Sequence, residues 1–277
     1  MTGLVLTLRE PPRQRVDMAP LTLRDLAGRS VKDVASLTLA CGNRSLRVDE
    51  LFDVSGTMVM PREQGRLTIR NGSPKLDRVG FGLTDGNIAV EGDVGAYAGM
   101  GMTGGNLRIS GSAGPFAACV MEGGALHIGG NADEFLGSAL PGDRVGMRGG
   151  VVSVDGNAGA RAGDHLRRGM LLIAGDAGPY CGARMIAGTI LVLGEIGDFI
   201  GLGMKRGTIM LSHEPARLLA TFNDCGSHQL QFLPLLFEAA RNAGPAFASL
   251  GKFGSRVRRF AGDRGVGGQG EILIRES

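Results

Sequence analysis

Apolar and polar residues alternate over short segments, and this alternation returns at a fixed interval along most of the chain. The pattern Gly-x-Ile-x-Val-x-Gly-Asp begins at Gly86, and its opening glycine recurs every 19 residues except for one interval of 26. The opening glycines are Gly86, Gly105, Gly124, Gly150, Gly169, Gly188 and Gly207. An alternation with a period of two predicts short β-strands. A 19-residue repeat cannot bury its own apolar face, so the copies are expected to stack.

The alternating apolar positions form eight pairs, from Leu67/Ile69 to Ile209/Leu211. Side chains two positions apart share one face of a strand, so stacked pairs would build one continuous interior. The sequence therefore predicts an all-β fold, a right-handed parallel β-helix or solenoid of about 19-residue turns. A leucine-rich horseshoe would need more leucine and an Asn/Cys ladder, and a propeller blade needs about twice this period, so both fit less well.

Further glycines follow each strand at fixed offsets. A corner repeated in register requires a positive φ or close approach of two backbones, and glycine tolerates both. We interpret these glycines as structural turn residues and not as a phosphate-binding loop, because no helix and no Lys-Ser/Thr follows them. The set comprises Gly92, Gly95, Gly99, Gly111, Gly114, Gly156, Gly159, Gly175, Gly178, Gly194 and Gly197.

The residue after the first corner glycine is usually small and polar. These residues are Asp93, Ser112, Asn131, Asn157, Asp176 and Glu195. Asp, Asn and Ser side chains commonly hydrogen-bond the local backbone of a turn, so we expect this role for the first five. Glu195 departs from the set.

Two segments without the repeat flank the solenoid. Residues 1–64 carry short alternations at 4–8, 36–40 and 45–48 and predict a strand-rich N-terminal cap, in which residues 21–26 fit a helical turn or a strand equally. Residues 65–212 form the predicted β-helix. The extra seven residues after Gly124 predict a loop projecting from a corner, within residues 138–145.

Residues 213–277 predict a C-terminal cap. An apolar helix over residues 229–241 could cover the open end of the solenoid, which would otherwise expose strand edges and core. A short strand is predicted at residues 272–274.

Composition narrows the functional classes. The net charge is only +3, and no block of like charges indicates a nucleic-acid-binding arm. No apolar run approaches the ~18 residues of a membrane span, and the N-terminus lacks a basic segment followed by a long apolar one. We expect a cytoplasmic protein that binds neither nucleic acid nor membrane.

Candidate catalytic residues do not form a recognisable arrangement. The cysteines are Cys41, Cys119, Cys181 and Cys225, without a CxxC pair, and we interpret them as small buried residues. The histidines are His127, His165, His213 and His228, without the i,i+4 spacing of a helical metal site. His127 should point away from the stacked apolar pair and be exposed or at an interface. We therefore predict no catalytic residue and no metal ligand.

Basic residues recur just before the opening glycines. Arg167-Arg168 and Lys205-Arg206 occupy equivalent positions, so stacking predicts a basic stripe along one edge that could bind an acidic segment. Solvated corner residues are the alternative interpretation. The candidate binding residues are Arg144, Arg148, Arg167, Arg168, Arg184, Lys205 and Arg206.

The pattern as a whole resembles a known family. Asp49-Glu50-Leu51-Phe52 ahead of the repeats, the repeats themselves, and the closing Gly262-Asp263 and Gly270-Glu271-Ile272-Leu273 resemble the C subunit of formylmethanofuran dehydrogenase. The nearest likeness is to the C subunit of the bacterial formyltransferase/hydrolase complex. The repeats alone are also similar to the C-terminal β-helix of the glutamate synthase large subunit.

The resemblance implies a role in one-carbon metabolism. It implies a non-catalytic scaffold beside a formyltransferase, an amidohydrolase-like hydrolase that holds the metals, and a molybdopterin-enzyme-like subunit. Such a complex passes formyl groups between tetrahydromethanopterin and a methanofuran-type cofactor and releases formate. Because that cofactor carries a glutamate-rich tail, the basic stripe would bind either the tail or an acidic partner. The alternative is a β-helix subunit that scaffolds an amidotransferase-type enzyme.

Overall fold

The computed structural model describes residues 3–57, 65–248, 250 and 254–276. The described residues are mostly β, as predicted. The strands are β1 Leu4–Leu8, β2 Val16–Asp17, β3 Thr38–Cys41, β4 Arg44–Arg47, β5 Phe52–Ser55, β6 Arg66–Gly72, β7 Leu76–Asp77, β8 Asn87–Gly92, β9 Thr103–Ile109, β10 Gly123–Ile128, β11 Arg148–Val154, β12 Arg168–Ile173, β13 Thr189–Val192, β14 Thr208–Leu211, β15 Asn223–Gln229, β16 Arg256–Gly262 and β17 Gly270–Arg275. The α-helices are α1 Leu23–Leu26, α2 Val31–Ala35, α3 Val48–Leu51 and α4 Leu233–Ala240. The predicted domain limits at residues 64 and 277 fall outside the described residues.

A long sheet dominates the described part of the chain. Its strand order is β15-β16-β17-β14-β13-β12-β11-β10-β9-β8-β6-β1-β5, and the strands from β17 to β1 pair in parallel. Each repeat lies beside the next in register, as when Leu171 pairs with Ile190 and Ile190 with Ile209. A second line of parallel bridges joins successive corners from Val94 through Ala113 to Ile196.

The interior is built as the alternation predicts. All eight apolar pairs are buried, from Leu67 and Ile69 at one end to Ile209 and Leu211 at the other. Leu4 and Leu6 of β1 extend this core beyond β6. The apolar residues in register therefore account for a single continuous core.

The small polar residues at the corners bond differently from the prediction. Asn131 Oδ1 accepts a hydrogen bond from Asn157 N at 2.9 Å, and Asn157 Oδ1 accepts one from Asp176 N at 2.8 Å. Each side chain thus bonds the equivalent backbone N–H of the next repeat and not its local turn. We name this series, from Asp93 to Glu195, the corner ladder. Glu195 ends it and accepts nothing along it, which accounts for its different side chain.

Asn157→Ala is expected to destabilise the fold by about 1 kcal/mol, because the Asp176 N–H loses its acceptor but stays near water. For a chain of this size, that corresponds to a fall in melting temperature of about 2–4 °C. Thermal unfolding followed by circular dichroism measures it. Glu195→Ala removes an exposed side chain that accepts no bond in the corner ladder, and it should leave the melting temperature unchanged. Equal losses in both variants would contradict the role of the ladder.

The C-terminal helix does not cover the open end, so that prediction is wrong. Helix α4 packs Leu233 and Phe237 on the outward side of the sheet, in a cluster with Leu172, Leu191 and Met210. The sheet is apolar on both sides at these strands, so its outward side also needs covering. The open end is covered instead by β17, whose Ile272 lies beside Ile209 of β14.

The N-terminal segment forms the other end. Strand β1 is confirmed over Leu4–Leu8, and residues 21–26 contain helix α1 and not a strand. The alternation at 45–48 yields β4, but Val48 already begins helix α3. Strands β4, β3, β2 and β7 make a separate small sheet.

Candidate binding surface

Four of the predicted basic residues lie around one open cleft of about 540 Å³. Arg167 and Arg168 stand on one side and Lys205 and Arg206 on the other, with Ile186 and Ala187 of the intervening repeat between them. All four cations are exposed. Val266, Gly267 and Gln269 of the C-terminal loop complete the lining, and Gln269 N donates to Lys205 O at 2.7 Å. We name this feature the basic cleft.

The other three candidates do not line the basic cleft. Arg148 Nη1 donates to Glu122 Oε1 at 2.9 Å, although Arg148 also pairs with Arg168 across β11 and β12. Arg144 is exposed in the loop formed by the seven extra residues. The predicted basic stripe is therefore not continuous. The apolar residues Ile186 and Ala187 separate the two basic pairs, and the charge of Arg148 is neutralised by its ion pair with Glu122.

Arg184 belongs to a separate cluster around a buried carboxylate. Asp164 is 3% exposed and accepts from Arg184 Nε at 2.9 Å, and a second nitrogen of Arg184 bonds its other oxygen. His165 Nδ1 lies 3.2 Å from Asp164 Oδ1. Burial lowers the pKa of His165; Asp164 opposes this shift, and the nearby charges of Arg184 and Lys205 add to it. Asp164 and Arg184 thus neutralise each other within the chain.

His127 is covered by the C-terminal segment. Its Nδ1 lies 3.0 Å from Ser153 Oγ, which donates to Ala243 O at 2.7 Å, so the network assigns the proton to Nδ1. Its Nε2 faces Asp155 Oδ2 at 3.4 Å. Ser153 is 1% exposed and its hydroxyl proton is committed to a carbonyl, so this Ser-His-Asp arrangement presents no nucleophile. The predicted interface for His127 lies within the chain.

The cysteines differ in accessibility. Cys119 and Cys181 are buried, and burial raises the pKa of each thiol to about 12. Cys225 is exposed.

We expect a thiol reagent at pH 8 to label Cys225 rapidly in the native chain, and Cys119 and Cys181 only on unfolding, because the thiolate is the reactive form. Labelling followed by peptide mass spectrometry measures this. Cys225→Ser is the matched control and should abolish the fast phase. Rapid native labelling of Cys181 would contradict the burial.

A column of aromatic residues on one corner was not predicted from the sequence. Tyr97, Phe116 and Phe135 stack with ring centroids 5.3 and 4.6 Å apart, and Tyr180 stacks on Phe199 at 4.8 Å. Arg161 fills the gap, with its guanidinium carbon 4.6 Å from the Tyr180 ring centroid. A sequence signal existed, since each member lies five residues after the first corner glycine. We name this feature the aromatic column.

The described residues contain neither a candidate metal site nor a candidate membrane-spanning helix. No group of three or more His, Cys, Asp or Glu side chains in the described ranges is arranged to hold a metal ion. Among those same residues, no helix has the length and apolar character needed to cross a bilayer.

Part of this chain is similar in sequence to curated proteins. No family model matches it. Over 90 residues it is 39% identical to the C subunit of the formyltransferase/hydrolase complex Fhc of Methylorubrum extorquens, covering 32% of each chain. Over 97 residues it is 32% identical to the C subunit of tungsten-containing formylmethanofuran dehydrogenase 2 of Methanococcus maripaludis, covering 35% of each. The aligned segments thus span about a third of the length of these curated relatives.

A solved structure extends the likeness to nearly every residue. The X-ray structure of the formyltransferase/hydrolase complex FhcABCD from Methylorubrum extorquens, in complex with methylofuran, contains a chain that is 38% identical. It matches with a TM-score of 0.88 and covers 99% of this chain and 100% of that chain. The chain belongs to the family of C subunits of these complexes. The resemblance predicted from its motifs is confirmed.

Proposed function

We propose that this C-subunit family member is a structural subunit of a formyltransferase/hydrolase complex. The complex would transfer formyl groups between tetrahydromethanopterin and a methanofuran-type cofactor and release formate. The observation that carries the proposal is 38% identity, with a TM-score of 0.88, over the full length of a chain of FhcABCD. The chain's own organisation supports a scaffold. Its polar corner side chains accept hydrogen bonds from backbone N–H groups of the next repeat, so they stabilise the fold.

We interpret the parallel repeats as a right-handed β-helix over residues 65–212, between an N-terminal cap of residues 1–64 and a C-terminal cap of residues 213–277. Two features support this interpretation. The same strand returns in register every 19 residues through β12, β13 and β14, and a second line of bridges such as Ala158–Ala177 runs at the corners. A chain that passes twice through parallel ladders in each repeat is the arrangement of a solenoid.

The proposed partners are a formyltransferase, an amidohydrolase-like hydrolase and a molybdopterin-enzyme-like subunit in the cytoplasm. Any metal would be held by those partners. The apolar surface of the chain supports a covered state: Phe199 at the end of the aromatic column is 41% exposed and Leu202 beside it 39% exposed. Aromatic residues are enriched in protein interfaces.

The basic cleft is proposed as the electrostatic contact of this protein. Four cations face one open space without a carboxylate in its described lining, so an anionic group entering it would be attracted from several sides. Either an acidic partner surface or the glutamate-rich tail of a methanofuran-type cofactor has the required charge.

Co-purification of the tagged full chain from its native host tests the proposal. We expect formyltransferase, hydrolase and molybdopterin-enzyme-like chains in constant ratio, identified by mass spectrometry. Recovery of glutamate synthase-like chains would favour the amidotransferase scaffold and contradict the proposal. Turnover by the isolated chain would contradict a purely structural role.

A further inference from the structure

The outward side of the long sheet is divided into a covered and an uncovered half. At strands β12 to β14, outward-facing Leu172, Leu191 and Met210 are buried beneath helix α4. The equivalent residues of β6, β8 and β9 are Thr68, Ala89 and Arg108, and none of these three is buried. At β10 and β11 the equivalent residues are His127 and Ser153, which the C-terminal segment covers through the bond from Ser153 to Ala243 O. The sheet thus changes on one side from an apolar surface with a cover to a polar surface without one.

A groove of about 500 Å³ occupies the uncovered half. Small residues, Ala89 and Ala125, form its floor, and Ala243 of the C-terminal segment closes it beside His127. Arg66 and Arg108 also line it, and the structure gives neither an ion pair with any described residue. A partly apolar floor between two uncompensated guanidinium groups suits a ligand that is narrow and negatively charged.

An amide pair adds hydrogen-bonding capacity to the same groove. Asn106 Nδ2 donates to Asn87 Oδ1 at 3.1 Å, which fixes the two side chains side by side. The pair keeps the Asn87 amide nitrogen as a donor and the Asn106 amide oxygen as an acceptor. A peptide group needs one donor and one acceptor, so this pair matches a polypeptide backbone.

The spacing of the two arginines sets the form of the ligand. Arg66 and Arg108 lie two strands and two residues apart, which places their Cα atoms about 12 Å from each other. An extended chain advances about 3.3 Å per residue, so carboxylates three or four residues apart would reach both guanidinium groups.

We propose that this groove binds an extended acidic segment of a partner protein, with two carboxylates three or four residues apart. The segment lies across the strands, its carboxylates on Arg66 and Arg108 and one peptide group on the Asn87–Asn106 pair. The inference rests on the proposed function only in that the chain works within an assembly. It does not depend on which enzyme the assembly forms.

Site-specific photo-cross-linking of the purified assembly tests the groove. A photoreactive phenylalanine replaces Ala89 between the two arginines, and cross-linked peptides are sequenced by mass spectrometry. The expected product is a peptide of another subunit with acidic residues at the stated spacing. A cross-link within this chain, to a second copy of it or to a segment without that acidic pair would overturn the proposal, as would no cross-link. The same probe at Thr68, which also lines the groove, covers the case in which Ala89 does not tolerate it.

A charge reversal makes the test specific. In the R66E/R108E background, the yield of that cross-link should fall at least roughly tenfold, since both carboxylates then meet like charges. The matched control R13E/R44E reverses two exposed arginines outside the groove and should leave the yield unchanged. An undiminished yield in R66E/R108E would overturn the proposal. Failure of the proposed function would instead appear as different partner chains in the co-purification, whichever peptide is cross-linked.

Discussion

Gly175→Ala is expected to lower the free energy of unfolding by about 3 kcal/mol, at the upper end of the cost of overpacking a core. A Cβ at this position would lie 2.7 Å from Gly156 O and 2.8 Å from Gly156 C of the preceding repeat. It would also press on Asn157 Oδ1, which accepts from Asp176 N in the corner ladder. Because backbone atoms cannot rotate away, the repeats themselves must separate. We expect the melting temperature to fall by about 6–12 °C.

Gly254→Ala is the matched control for this change. Among the described residues, the nearest neighbour of a Cβ on Gly254 would be Arg256 N at 4.0 Å, and Gly254 is exposed. The same methyl group is therefore added without a close backbone neighbour, and the melting temperature should stay within about 1–2 °C of the original, as for most surface substitutions. Equal behaviour of the two variants would show that the corner glycines are not required for close packing of the repeats.

The repeat itself was predictable because one physical cause acts at every copy. Pairs such as Leu171 and Ile173 must face the interior, and a strand places only alternate residues there. For Gly175 the sequence left two roles open, a positive φ or close approach of two backbones. Its φ is not in the left-handed region, so close approach to the neighbouring repeat is its role in the structure. At Gly99 the other alternative applies, with a φ of +66°. A single sequence pattern thus covers two different backbone requirements.

Features that depend on neighbouring repeats were not predictable in the same way. Asn157 was expected to bond its own turn, because the sequence shows only local neighbours, whereas in the stack the next backbone N–H is within hydrogen-bonding distance. Tyr180 adopts a φ of +62°, which is uncommon for an aromatic residue, and its ring contact with Phe199 offsets part of that cost. The apolar character of Leu172 and Leu191 on the outward side was visible in the sequence. This outward apolar surface indicates where helix α4 packs, although the prediction for that helix did not take it into account.

Charge reversal of the basic cleft is expected to have the second large effect. R167E/R168E replaces two cations with two anions and leaves Lys205 and Arg206 facing carboxylates. An acidic partner surface would then meet a neutralised cleft, and we expect its affinity for this protein to fall by roughly a hundredfold. Titration of the purified chain against the remaining subunits at low salt measures it. R13E/R44E, which makes the same change on exposed arginines elsewhere, should bind as the unmodified chain does.

The same variant distinguishes the two anionic ligands proposed for the basic cleft. If the ligand is an acidic partner, assembly weakens; if it is the glutamate-rich tail, assembly persists and the apparent KM for the cofactor rises instead. In both cases added salt should reduce the difference between variant and original, because the Debye length falls from about 10 Å at 0.1 M to about 3 Å at 1 M ionic strength. Unchanged assembly and unchanged KM at low salt would show that the four cations are solvated corner residues, and the scaffold would then attach through its aromatic column or its groove.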